Sequence, residues 1–306
     1  MKAYFQDKVV VITGGSSGIG LALAEQLAGL GARVAILARK RAKLEIALEK
    51  IRAAAESAGM PRSDSRGDYV RAFPLDVGEY RVARKVMAAI EKELGPIDML
   101  INCAGRSRPG YADALPLRVY RDVMDANFMG TVHAVRAALP GMLGRGRGHI
   151  VNVGSVAGFI GVFGHTAYGA SKFAVHGYTE ALRSELRPRG IHVSLLCPPD
   201  TDTPMLRGER KHVPPELEKI AASAGMISAE QVAERTLKAM ARNRFMILPN
   251  FESRYVHFMY RHFPGLVRWI MDRQIAAAAR KHGRAKAQTA KASAKSLDAK
   301  SGDAKA

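Results

Sequence analysis

Two cysteines, Cys103 and Cys197, are all that the 306 residues contain. No disulfide framework can hold this chain, and a reducing, cytoplasmic setting is expected. Both lie at strand ends among small and apolar neighbours, which reads as buried structural thiols and not as nucleophiles. Long apolar runs are also missing. No stretch reaches the roughly 18 residues of a membrane-spanning helix, and Met1 to Lys8 offers no core for a secretory signal. The nine histidines show no metal-ligand spacing, so no metal is expected. Acidic residues are scarce: 28 Asp and Glu stand against 47 Lys and Arg, a net charge of +19. What is plentiful is apolar, at 47% of the chain, which excludes a disordered protein and leaves one large domain or two small ones.

A large positive charge points to nucleic acid or an anionic membrane surface. Much of it is local. Residues 242–306 hold 14 Lys and Arg against four Asp and Glu, a net of +10. Aromatic residues are not interleaved with the basic tail as single-strand binding favours, so no nucleic-acid partner is expected.

The body alternates short β-type runs with helical patterns. Strands are predicted over Lys8 to Thr13, Arg33 to Ala38, Tyr69 to Leu75, Asp98 to Asn102, His149 to Ser155 and His192 to Cys197. Helices are predicted over Leu21 to Leu30, Lys40 to Ala58, Glu79 to Leu94, Thr131 to Leu143 and Tyr168 to Arg187. Helix Ala229 to Arg242 and strand Phe245 to Leu248 close the series. This rhythm predicts an α/β fold, a doubly wound parallel sheet in a single domain over residues 1–250. Residues 199–227 break the rhythm with Pro199, Pro204, Pro214 and Pro215, and read as a substrate lid. An amphipathic segment is expected over residues 251–282. Within it Leu266, Val267, Ile270, Met271 and Ile275 form one helical stripe, and Trp269 is a candidate anchor against the body. Residues 283–306 are Ala, Lys, Ser and Gly-rich and read as a disordered basic tail.

Thr13-Gly14-Gly15-Ser16-Ser17-Gly18-Ile19-Gly20 joins the first strand to the first helix. Glycines admit a pyrophosphate close to the backbone, and the helix N-terminus supplies free N–H groups. At the first β-α turn of a parallel fold, this is a strong dinucleotide signal. The second strand ends Ala38-Arg39-Lys40, with no acidic residue for a ribose 2′-hydroxyl. Arg39, beside Lys40, suits a 2′-phosphate instead, so NADPH/NADP+ is the expected cofactor. Asp76 can accept from the adenine amino group or cap a helix. Asn102, Ala104 and Gly105 form a small-residue turn along which the cofactor passes.

Tyr168 and Lys172 lie four apart at a helix start and share a face. A nearby ammonium favours the phenolate and is expected to lower the tyrosine pKa, making Tyr168 a proton donor or acceptor near neutral pH. Ser155 ends the preceding strand, where its hydroxyl can hold a carbonyl oxygen. Asn127 sits inside a helical region, where its amide can interrupt the helix and hold a water near Lys172. His165 either lines the substrate mouth or packs against it.

In this order, TGGSSGIG, NCAG, NFMG, the strand-end serine and YGASK resemble the short-chain dehydrogenase/reductase family over residues 8–250. The resemblance implies a Rossmann-like domain and a catalytic tetrad of Asn127, Ser155, Tyr168 and Lys172. It implies that Tyr168 and Lys172 also contact the cofactor, Lys172 at the nicotinamide ribose, and that Thr203 contacts the carboxamide. Pairing through the helices spanning Asn127 to Leu143 and Tyr168 to Arg187 would give a homo-oligomer. In place of the family's usual Pro-Gly stands Pro198-Pro199-Asp200-Thr201-Asp202-Thr203-Pro204, which adds Pro198 and Thr201 to the cofactor-side residues. That string is similar to the branch whose members reduce a long-chain keto-lipid, 3-ketosphinganine. A reductase of other acyl, steroid or lipid-like carbonyls is the alternative, and a non-catalytic nucleic-acid or membrane-binding protein a third reading. For the C-terminal segment, an Arg-flanked amphipathic helix before a lysine-rich tail suits either peripheral contact with an anionic membrane, at about 1 kcal/mol per basic residue, or a helix packed on the body or at a subunit contact with a solvated tail.

Overall fold

The computed structural model describes residues 1–64, 67–209, 213–214, 217 and 225–280. Seven parallel strands form the central sheet: β1 (Val9–Thr13), β2 (Arg33–Ala38), β3 (Val70–Pro74), β4 (Ile97–Asn102), β5 (Gly148–Val153), β6 (Ile191–Leu196) and β7 (Met246–Ile247). Their order is β7-β6-β5-β4-β1-β2-β3. Helices cover both faces, which is why the strands read as continuous apolar runs and not as alternating ones. In β1, Val10 and Ile12 enter one core layer while Val9 and Val11 enter the other.

The first layer is closed by α1 (Gly18–Gly29), α2 (Arg41–Ser57) and α8 (Ala229–Met240), through Leu23, Leu27, Leu44, Ile51, Val232 and Leu237. The second is closed by α3 (Tyr80–Leu94), α5 (Gly130–Arg145) and α6 (Thr166–Leu186), through Met87, Ile90, Val135, Ala138, Leu182 and Leu186. Strand order reverses between β1 and β4. The carboxyl ends of these two strands therefore open the crevice in which doubly wound folds bind ligands.

Three features differ from the sequence expectation. A helix, α4 (Leu117–Met124), precedes α5 and runs into it through a π-helical stretch, Asp125–Met129. Of α4 only Val123 is buried. In the expected lid, residues 201–202 pair with residues 227–228, and α7 (Pro204–Glu209) follows. Other parts of the 199–227 segment, and the expected tail 283–306, lie outside the described residues.

Third, the C-terminal segment is two helices: α9 (Phe251–His262), then α10 over 264–280. The break falls at Phe263, at φ −132° and ψ 54°, because a residue before proline is pushed out of the helical region. The expected stripe divides. Val267 and Met271 pack with Val256 and Tyr260 on a third core cluster around Phe159, Val175 and Leu195, whereas Leu266 and Ile270 are exposed. Trp269 is no core anchor. It is 54% exposed, with the Arg273 guanidinium 4.9 Å from its ring centroid. Among the described residues no helix is long and apolar enough to cross a membrane.

Candidate active site

The turn between β1 and α1 is a glycine cradle. Gly14 has φ +71°, and a Cβ there would lie 2.8 Å from Ala104 Cα. On Gly20 a Cβ would lie 2.5 Å from the Gly14 carbonyl oxygen. Side chains are thus excluded on two sides of the turn. Ser17 is the N-cap of α1 but makes no side-chain cap bond, which leaves the first N–H groups of the helix, around Ser16, Ser17 and Ile19, available to an anion. Gly18, at φ +56°, faces Thr203, whose Cγ2 would stand 3.0 Å from an added Cβ. The end of β4 is tied alongside: Thr13 Oγ1 accepts from the Ala104 amide at 3.1 Å. A cradle lined by backbone N–H groups, with no Cβ at Gly14, Gly18 and Gly20, fits the diphosphate of a dinucleotide.

Arg39 stands at the end of β2 and Lys40 caps α2. The Arg39 guanidinium lies 3.8 Å from Asp76 Oδ2, with both side chains more than half exposed. Asp76 Oδ1 also accepts from the Gly78 amide at 3.0 Å, a local turn two residues on, while the N-cap of the following helix is Glu79. Asn102 departs from the expectation. Its side chain is buried and donates to Asn152 Oδ1 at 2.8 Å, while Asn152 donates to Thr179 Oγ1 at 2.9 Å. It stitches β4 to β5 and α6. On the far side of the crevice the Pro198 carbonyl accepts from the Val156 amide at 3.1 Å, and Thr201 Oγ1 donates to the Pro199 carbonyl at 2.9 Å.

The other four expected residues converge here. Ser155 lies two residues past β5 and accepts from the Ala157 amide at 3.1 Å, which fixes its hydroxyl as the cap of a short 3-10 turn. Tyr168 and Lys172 lie on α6, with the Lys172 nitrogen 5.6 Å from the Tyr168 ring centroid. Lys172 is buried and donates to the Val153 carbonyl at 2.6 Å. Burial lowers its pKa from 10.5 to about 8.

Tyr168 corrects the sequence expectation. Its pKa is raised, first by burial, with Glu209, Asp200 and Cys103 adding to the rise and a hydrogen-bonding interaction with Ser155 opposing it. The ammonium does not reverse this, because it is itself buried and bound to a carbonyl.

Asn127 also differs in detail. It lies in the π stretch, where its N–H groups donate to the Arg106 carbonyl at 3.0 Å and Ser171 Oγ at 2.9 Å. Its Oδ1 accepts from the Arg106 amide at 2.8 Å. The amide is a clamp on the loop after β4, and its hydrogens hold protein where a water was expected. A Cβ on Gly105 would stand 3.2 Å from Asn127 Oδ1 and 3.9 Å from the Lys172 nitrogen, so these two atoms border one space. Ser171, not singled out from sequence, links Asn127 to Tyr168: it accepts from the Asn127 amide and donates to the Tyr168 carbonyl at 2.7 Å.

A second group was only partly legible. His165 Nε2 lies 3.5 Å from Glu209 Oε2, both side chains largely buried, and the His165 ring is 5.8 Å from that of Tyr168. Asp200 keeps contact with solvent, yet partial desolvation raises its carboxyl pKa; His165 opposes this rise and Glu209 adds to it. Asp200 stood within the PPDTDTP string, but nothing in the sequence brought Glu209 to Tyr168. Cys103 and Cys197 have thiols pushed up to about 11 and about 12 by burial, which suits structural roles. Among the described residues no cluster can hold a metal ion.

The profile of the family described as short chain dehydrogenase matches residues 8–214. A 3-dehydrosphinganine reductase from Danio rerio is 38% identical over 237 residues, covering 77% of this chain and 69% of the relative. A solved short chain dehydrogenase/reductase from Burkholderia phymatum in complex with NAD superposes with a TM-score of 0.73 at 30% identity, covering 86% of this chain and 95% of the other. Actinorhodin polyketide ketoreductase with NADPH gives 0.69 at 31% identity, over 79% of this chain and 95% of that one.

Proposed function

Because the chain belongs to the short chain dehydrogenase family and is an oxidoreductase acting on a ketone, we propose that it reduces 3-ketosphinganine to sphinganine with NADPH. The carrying observation is the convergence of Ser155, Tyr168 and Lys172 beside a glycine cradle, in a chain similar to a relative of that name.

The reduced nicotinamide, when bound, supplies a hydride to the ketone carbon. Gly14, Gly18 and Gly20 with the first turn of α1 hold the diphosphate, and Arg39 and Lys40 hold the 2′-phosphate. Arg39 exchanges its loose, exposed pairing with Asp76 for a bidentate one. Lys172 binds the nicotinamide ribose, and Thr203 closes over the carboxamide side. Ser155 orients the ketone oxygen. Tyr168 gives its proton to that oxygen, the phenol being protonated at neutral pH, the form that reduction requires. Lys172 stabilises the phenolate left behind.

The group formed by His165, Asp200 and Glu209 favours this substrate over neutral carbonyls. 3-Ketosphinganine carries an ammonium on the carbon next to its ketone, and two carboxylates beside Tyr168 suit that charge. A steroid or simple acyl ketone brings no such cation. The alternative, reduction of another lipid-like, acyl or steroid carbonyl, is separated by a ketone panel with NADPH. We expect 3-ketosphinganine to be preferred at least tenfold over its analogue lacking the amine, and Glu209→Gln to remove that preference. Equal rates on both ketones would favour the alternative. We also assign a paired state through α5 and α6, in keeping with the exposed Phe173 on α6.

A further inference from the structure

An unpartnered apolar surface lies on the two C-terminal helices. On α9, Phe251, Tyr255 and Phe258 follow one another at four- and three-residue steps and are 72%, 54% and 53% exposed. Phe251 stacks on Tyr255 with centroids 6.3 Å apart. Ring contacts continue across the helix break, from Phe258 to His262 at 4.5 Å and from His262 to Phe263 at 6.5 Å. On α10, Leu266, Trp269 and Ile270 carry the stripe onward, all exposed.

These are not residues awaiting a place in the core. The same helices already bury a different face, Val256, Tyr260, Val267 and Met271, against the body. The outer face is a second, separate stripe. Large contiguous apolar surfaces of this kind mark interaction sites.

The chemistry around the stripe selects its occupant. Arg254, Arg261, Arg268, Arg273 and Arg280 lie on these two helices, against Glu252 and Asp272. Beyond them the sequence adds seven Lys and Arg and two Asp over residues 281–306. Exposed aromatic rings flanked by arginines suit the boundary of an anionic bilayer, where rings enter the headgroup layer and guanidiniums pair with lipid phosphates. A second copy of this chain would bring the same arginines against themselves.

We propose that α9 and α10 form a docking face for an anionic membrane surface, with Phe251, Tyr255, Phe258, Phe263, Leu266 and Trp269 as the inserting residues. The face stands on surface chemistry alone and does not depend on the reaction assigned above.

Trp269 is the single tryptophan of the chain, so its fluorescence reports this face directly. The full-length protein is mixed with phosphatidylcholine vesicles with and without phosphatidylserine. The expected result is a blue shift of Trp269 emission and co-flotation with the anionic vesicles, weakened by added salt. The double variant Phe258→Glu, Phe263→Glu should lose at least tenfold in vesicle affinity while keeping its ketone-reduction rate in detergent. No blue shift with either vesicle overturns the proposal. So does a blue shift that appears without lipid and tracks protein concentration, which assigns the face to a second copy.

Discussion

Burial drives Tyr168 and Lys172 in opposite directions, raising the phenol and lowering the ammonium to about 8. For the lysine this sets a sign for stability. Between about 8 and 10.5 the unfolded chain holds the proton that the folded chain has released. Stability of the wild type should therefore rise with pH through that window, relative to Lys172→Met. Thermal melts of both proteins from below pH 8 to above pH 10 check this, and a constant difference in Tm would contradict it. The pairing of Tyr168 with Lys172 was legible from a four-residue spacing on one helix. The direction of the tyrosine shift was not, because it depends on how deeply α6 is packed. Nor was the place of Glu209, which reaches His165 only through the path of the segment after β6.

At the scale of elements, the buried strands were plain in the sequence because parallel strands covered on both faces are uninterrupted apolar runs. α4 is only eight residues long and runs without a break into the π stretch, so no boundary marks it, whereas the kink at Phe263 is announced by Pro264. Two substitutions probe local devices. Ser228 caps α8, accepting from the Gln231 amide at 3.2 Å while Gln231 Oε1 accepts from the Ser228 amide at 3.3 Å. Ser228→Ala should cost about 1 kcal/mol of unfolding free energy, read as a lower denaturation midpoint at unchanged slope. Gly20→Ala places a Cβ on the Gly14 carbonyl and distorts the cradle itself. It should weaken NADPH binding at least tenfold, measured by titration; an unaltered Kd would mean the cradle does not hold the diphosphate.

For the whole molecule, the charge excess has no single purpose. Arg39 and Lys172 have places in the proposed chemistry, whereas the C-terminal arginines surround an exposed apolar face. Glycine motif, strand-end serine and Tyr168–Lys172 were readable because short local strings encode them. The outer stripe of α9 and α10 was not, since only packing shows which half of an amphipathic pattern meets the body. The central claim is that this crevice transfers a proton from Tyr168 during NADPH-dependent reduction of 3-ketosphinganine. Its most direct test is NADPH oxidation in the presence of that ketone, compared between the wild type and Tyr168→Phe. The account predicts steady turnover by the wild type, giving sphinganine. It also predicts a fall of about 10²-fold or more in the variant with NADPH affinity retained. No turnover by the wild type, or near-normal turnover by the variant, would contradict it.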